Sequence, residues 1–120
     1  MTSKLDVLVV DDDPDIRTLL VLLLEEHELE VRTARNGREA YDLAMELHPR
    51  LILSDLMMPV MRGDALYAAL QANTTTAGIT FVLMTSIPAK VPAGIPRVVG
   101  KPIELAALEA LLLEALRERS

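Results

Sequence analysis

Val7-Leu8-Val9-Val10-Asp11-Asp12-Asp13-Pro14 carries the key to the fold. Four consecutive apolar residues, three of them β-branched, read as a strand covered on both faces, because a half-wet strand would alternate. The run then stops on three aspartates and a proline. Asp13 suits a helix N-cap, Pro14 suits the first turn, and Asp15 complements the positive end of the helix dipole. A leucine-rich helix therefore follows at once, from Pro14 to His27. A buried strand feeding directly into a helix is the opening of a βαβ unit.

The same alternation continues downstream. Leu29, Val31 and Thr33 alternate with Glu30 and Arg32, as in a strand with one wet face at a sheet edge. Asn36-Gly37 turns into a helix from Arg38 to Leu47, stopped by Pro49. Leu51-Ile52-Leu53 is a second fully apolar strand, and Pro59 and Gly63 punctuate the loop before a helix from Asp64 to Ala72. Ile79 to Met84 and Arg97-Val98-Val99 are the remaining strands, and Ile103 to Arg119 the last helix. Right-handed crossovers leave few arrangements. The expected fold is α/β: a flavodoxin-like, doubly wound, five-stranded parallel sheet in the order 2-1-3-4-5, with the alternating strand at its edge. One segment breaks the rhythm. Pro88, Pro92 and Pro96, with Gly94, cannot share a regular helix, so the fourth helix is expected to be shortened or absent. No linker or repeat divides the chain, which reads as one domain over residues 1–120.

Composition narrows the function. Apolar residues make up 51% and charged residues 25%, enough for a packed core. The net charge of −6 and scattered basic residues argue against a nucleic-acid groove. The absence of cysteine removes disulfides and thiol chemistry. No apolar run approaches the roughly 20 residues of a membrane span. Met1 to Asp6 has no apolar h-region before its early acid, so no secretory signal is expected and a cytoplasmic location is.

In such sheets, ligands bind beyond the carboxyl ends of the strands at the switch point, here between strands 1 and 3. Strand 1 ends on Asp11-Asp12-Asp13, strand 3 on Asp55, strand 4 on Thr85-Ser86, and strand 5 on Lys101-Pro102. Asp11, Asp12 and Asp55 would repel by roughly 4 kcal/mol per pair at about 4 Å and an effective dielectric of about 20. Lys101 offers one compensating charge; a hard divalent cation offers two. Oxygen ligands with few carboxylates suit Mg²⁺. A nucleotide pocket would instead present a glycine-rich turn after strand 1.

These residues resemble the receiver domain of the two-component response regulators. The likeness runs from Leu8-Val9-Val10-Asp11-Asp12-Asp13-Pro14 to Lys101-Pro102 and includes Ser54-Asp55, Met58-Pro59, Gly63 and Met84-Thr85-Ser86. It implies that Asp55 is the phosphoacceptor, taking its phosphoryl group from a sensor histidine kinase or a histidine phosphotransfer protein. It implies Mg²⁺ or Mn²⁺ held by Asp12, Asp55 and the backbone carbonyl of Met57, with Asp11 acting through water. Lys101 would pair with Asp55 or a phosphoryl oxygen, Thr85 would sense the phosphoryl group, and the bond before Pro102 would be cis. Such a protein catalyses its own phosphorylation and dephosphorylation and is not otherwise an enzyme. The alternative is a pseudo-receiver that keeps the fold as a constitutive binding module. Aspartyl-phosphate phosphatases of the haloacid dehalogenase type share the residue types, but their nucleophile follows strand 1.

The sequence departs from the family in several places. Proline replaces the fourth helix, Val98 stands where an aromatic often precedes the lysine, and Arg62 stands where an aspartate is common. Met57 and Ile87 occupy positions where polar side chains orient the hydrolytic water, which implies a long-lived phosphoaspartate. Leucines spread widely around the first and last helices, neighbours on one side of the sheet. That side would suit a histidine-bearing helical bundle or a second copy of the chain.

Overall fold

Nine regular elements follow one another in a computed structural model that describes residues 5–88 and 91–118. They are β1 (Val7–Val10), α1 (Pro14–Glu25), β2 (Val31–Ala34), α2 (Gly37–Leu47), β3 (Leu51–Asp55), α3 (Gly63–Gln71), β4 (Thr80–Thr85), β5 (Val98–Gly100) and α4 (Leu105–Glu118). The strands form one parallel sheet in the order β2-β1-β3-β4-β5. The doubly wound, flavodoxin-like arrangement read from the sequence is therefore the observed one. No α-helix lies between β4 and β5 among the described residues, so α4 is the C-terminal helix. The residues expected to extend it to Arg119, the Ala89-Lys90 part of the crossover, and Met1 to Lys4 lie outside the described residues. No helix among the described residues is long and apolar enough to cross a membrane.

The two-sided burial follows from strand alternation. Leu8, Val10, Ile52, Phe81 and Leu83 face α2 and α3, where Ala40, Ala44, Leu66 and Leu70 complete one core. Val7, Val9, Leu51, Leu53, Val82 and Met84 face α1 and α4, where Leu20, Leu24, Leu108 and Leu112 complete the other. Each fully buried leucine stabilises the fold by about 1.5–3 kcal/mol relative to exposure.

Local signals set the boundaries. Asp13 caps α1 by accepting the Asp15 N–H at 2.9 Å, and Asn36 caps α2 by accepting the Glu39 N–H at 2.9 Å. α1 ends at Glu25 rather than His27, because His27 and Glu28 close a tighter turn and Glu28 takes φ 59°. β2 starts at Val31 rather than Leu29; the Asp6 carboxylate holds the Glu30 N–H at 2.8 Å, just before the ladder begins. α4 starts two residues later than Ile103, where the Glu104 carboxylate accepts from the Ala106 and Ala107 N–H groups. In this helix Leu108, Leu112 and Leu116 are buried, while Leu105 is exposed.

The loop from β3 to α3 is clamped at both ends. At Gly63, a Cβ would lie 2.2 Å from the backbone oxygen of Asp55, so only glycine fits. At Gly37, a Cβ would lie 2.6 Å from the Met61 carbonyl, which instead accepts the Gly37 N–H at 3.1 Å. Between the clamps, the Met61 N–H donates to the Pro59 carbonyl at 2.7 Å around Val60, whose φ is 69°. That is a γ-turn of the rarer hand, and a β-branched residue is strained there. We expect Val60→Gly to stabilise the protein by about 1 kcal/mol and Gly63→Ala to destabilise it by about 2 kcal/mol or more. Urea unfolding of both variants checks the pair; equal midpoints would contradict the clamp.

Candidate functional site

The central strands β1 and β3 are adjacent, and their carboxyl ends deliver the acids. Asp11, Asp12 and Asp55 each offer a carboxylate oxygen, and all three oxygens lie within 4.8 Å of one another. Asp11 and Asp55 are buried, while Asp12 is exposed. The Lys101 ammonium stands 2.9 Å from Asp55 Oδ1 and 3.8 Å from Asp11 Oδ2. It is carried there by the turn after β5, in which the Lys101–Pro102 peptide is cis.

Each side chain is held by its surroundings. Asp11 Oδ1 accepts the Asp13 N–H at 2.9 Å. Asp11 Oδ2 is the one buried side-chain oxygen or nitrogen without a hydrogen-bond partner among the described residues. Asp55 follows Ser54, whose hydroxyl donates to the Asp55 carbonyl at 2.8 Å. Thr85 is buried at the end of β4, and its hydroxyl oxygen accepts the Ile87 N–H at 3.0 Å. The Lys101 N–H donates to the Thr85 carbonyl at 2.8 Å, which ties the two strand ends together. Met57 lies in the loop after β3 with its side chain 52% exposed.

The electrostatics follow from burial and crowding. Burial pushes the Asp11 carboxyl above its ordinary value, the Asp13 N–H opposes this, and the Asp55 and Asp12 charges add to the rise while Lys101 lessens it. Burial alone would lower Lys101, but its hydrogen bond to Asp55 and the attraction of Asp55, Asp11 and Asp12 prevail and raise it. Lys101 is therefore firmly cationic. One ammonium does not balance three carboxylates, and the buried Asp11 Oδ2 is left without a hydrogen bond. This donor set fits a small, hard, oxygen-seeking divalent cation.

The structure brings Asp11, Asp12, Asp55 and Lys101 together, with Thr85 joined to Lys101 through the backbone. Arg62 does not enter the cluster; its guanidinium forms two hydrogen bonds to Asp64 at 3.1 and 3.2 Å. His27, just after α1, is engaged elsewhere, 2.6 Å from Glu109 of α4. Sequence reasoning missed Arg17, whose Nη1 donates to the Asp11 carbonyl at 2.7 Å. No sequence pattern marks a side chain that serves a backbone oxygen. Gly63 was read as loop punctuation, not as the residue that lets the helix approach Asp55.

A five-stranded sheet of this order, with acids at its switch point and a lysine on the neighbouring turn, is the arrangement of a receiver-type fold. Residues 7–113 match the family model of the response regulator receiver domain, and the chain belongs to that family. The transcriptional regulatory protein SrrA of Staphylococcus aureus (strain NCTC 8325 / PS 47) is 44% identical over 71 residues, 59% of this chain. That match spans only 30% of the relative's length. The signal receiver domain of a signal transduction histidine kinase from Syntrophus aciditrophicus is 28% identical, with a TM-score of 0.87 over 95% of this chain and 91% of that one. The receiver domain of sensor histidine kinase PA1611 from Pseudomonas aeruginosa PAO1, with a magnesium ion coordinated in its active-site cleft, has a TM-score of 0.86. It covers 94% of this chain and 98% of that one at 21% identity, a likeness of fold.

Because folding raises the Asp11 pKa above 3.8, the native state holds this proton more tightly than the unfolded chain. The ionised group therefore costs stability, a cost that accrues as pH rises from that value to the raised folded-state pKa and stays constant above it. Asp11→Asn keeps the acceptor for the Asp13 N–H and removes the charge. In metal-free buffer, the variant should be more stable than the parent near neutral pH, with the difference vanishing as pH falls below 3.8. Urea midpoints across pH check this; a variant no more stable at neutrality would contradict it.

Proposed function

We propose that the chain is a phosphoacceptor switch of a two-component or phosphorelay system, with Asp55 as the acceptor. The observation that carries this reading is the Lys101 ammonium 2.9 Å from Asp55 Oδ1, within the cluster of Asp11, Asp12 and Asp55. Lys101 occupies Oδ1 and leaves Oδ2 to attack the phosphorus of a phosphohistidine or acyl phosphate. One P–O bond forms as the donor's P–N or P–O bond breaks. Lys101 meets the charge on the phosphoryl oxygens, where this chemistry needs positioning and neutralisation more than proton transfer. Thr85 Oγ1 already accepts the Ile87 N–H, so its own proton is available to a phosphoryl oxygen. Asp12, Asp55 and the Met57 carbonyl would hold Mg²⁺ or Mn²⁺, with Asp11 acting through water, and the ion would supply the remaining charge neutralisation.

The donor is a sensor histidine kinase or a histidine phosphotransfer protein. On the α1–α4 side, Leu19 is 43% and Leu22 59% exposed, so α1 is not a wholly buried helix. That apolar surface suits the helical bundle of such a donor, or a second copy of this chain. A pseudo-receiver is the second reading. Its motivation is the crossover without an α-helix among the described residues, and Val98, exposed where an aromatic is common.

Intact mass after incubation with acetyl phosphate and Mg²⁺ tests the first reading. It should rise by one phosphoryl group in the parent, and not in Asp55→Asn or without Mg²⁺. No gain together with no Mg²⁺ binding would transfer the assignment to the pseudo-receiver. Met57 and Ile87, each two residues beyond a site residue (Asp55 and Thr85), carry no polar side-chain group that could orient a water for hydrolysis. The phosphoaspartate should therefore be long-lived, and Met57→Asn with Ile87→Glu should shorten its half-life. An unchanged or longer half-life in that double variant would contradict the role given to these two side chains.

A further inference from the structure

The Asp11 N–H still donates to β2, at the Ala34 carbonyl, but the Asp11 carbonyl lies past Val10, the last paired residue of β1. Its partner comes from the helix. Arg17, on the first turn of α1, donates Nη1 to this carbonyl at 2.7 Å, within the short range of charge-assisted hydrogen bonds. Two residues along the chain from Asp11, the Asp13 N–H donates to Asp11 Oδ1 at 2.9 Å. These two bonds bracket Asp12. The peptide before it is fastened at its carbonyl, and the peptide after it at its N–H. Asp12 itself is exposed, and its carboxylate makes no hydrogen bond among the described residues. The direction in which its Cα–Cβ bond leaves the chain is therefore set by the two fastened peptides on either side.

We infer that Arg17 is a positioning residue for the cation site: its guanidinium fixes the backbone turn that presents Asp11 and Asp12 to a divalent ion. The inference rests on reading Asp11, Asp12 and Asp55 as a metal site. Charge and geometry make opposite predictions here. Arg17 is a cation beside the site, so removing its charge alone would tighten Mg²⁺ binding. Losing the bond to the Asp11 carbonyl would free the turn and weaken binding, as loss of an outer-shell partner typically does by about 10–100-fold. The sign of the change therefore separates a positioning role from a purely electrostatic one. A purely structural role would lower thermal stability and leave affinity alone.

Calorimetric titration with Mg²⁺ of the parent, Arg17→Met and Arg17→Lys tests this, alongside thermal unfolding of each. Arg17→Met keeps much of the stem and should weaken Mg²⁺ binding about tenfold or more. Arg17→Lys keeps the charge, loses the planar fork and should fall between Arg17→Met and the parent. Equal or tighter binding by Arg17→Met overturns the inference while leaving the metal site in place. If Arg17→Met does not fold, Arg17→Lys decides: affinity equal to the parent's overturns the inference. A folded parent that binds no Mg²⁺ overturns both the inference and the site reading beneath it.

Discussion

Asp11, Asp12 and Asp55 are held together against their own repulsion, and the rest of the fold is arranged to make that possible. Two of the three are buried, so water screens the charges only from the Asp12 side. The opposing energy comes from the sheet. β1 and β3 are buried along their whole length, with leucines and valines packed on both faces. Several side chains at about 1.5–3 kcal/mol each outweigh a repulsion of a few kcal/mol. Topology then decides where the strain is placed. The chain leaves β1 toward one face and β3 toward the other, which opens a crevice at their carboxyl ends. Lys101 reaches that crevice from β5, two strands away from β3, and is kept cationic by the acids it meets.

The features legible in the sequence were those with a local cause. Val7 to Val10 and Leu51 to Leu53 announced buried strands because both faces had to be apolar. Asp13 and Pro14 announced a helix start because they satisfy backbone groups within their own turn. The strand order followed from right-handed crossovers together with the alternation in Leu29, Val31 and Thr33, which suits an edge. What stayed hidden was non-local. Arg17 serves the carbonyl of a residue six positions earlier, and an arginine near a helix start ordinarily faces solvent. The role of Gly63 depends on the backbone oxygen of Asp55, which no reading of the loop alone would supply. Glu104 acts as a cap through a longer side chain than caps usually have, which displaced the expected start of α4.

The β3–α3 loop shows how such hidden contacts converge on the site. Gly63 brings α3 against the backbone of Asp55, and its N–H donates to the Leu56 carbonyl at 2.8 Å. Gly37 brings the start of α2 against Met61. With both ends fixed, the intervening residues have little freedom, and Val60 is forced to positive φ with 80% of its surface in water. Strain of this kind persists only where neighbours over-determine the backbone. Here they do so within a few residues of Asp55, so the loop that follows Asp55 is rigid at its anchors and strained at its tip.

The crossover from β4 to β5 is built differently. Among its described residues, Val91 and Ile95 pack against the α2–α3 core, and the Tyr67 hydroxyl donates to the Gly94 carbonyl at 3.1 Å. Tyr67 is itself braced edge-on against Phe81, with ring centroids 5.2 Å apart. Cover of this kind, without an α-helix among the described residues, is lighter than a packed helix, and such segments open at lower free energy than a core. The crossover begins at Thr85, whose hydroxyl accepts the Ile87 N–H. On the other side of Thr85, the backbone bond to Lys101 is part of the parallel ladder and resists movement. Val98 has no ring that could swing into the site. A displacement of the Thr85 hydroxyl would therefore be felt first at Ile87, and the least costly path away from the site runs into the crossover rather than across β5.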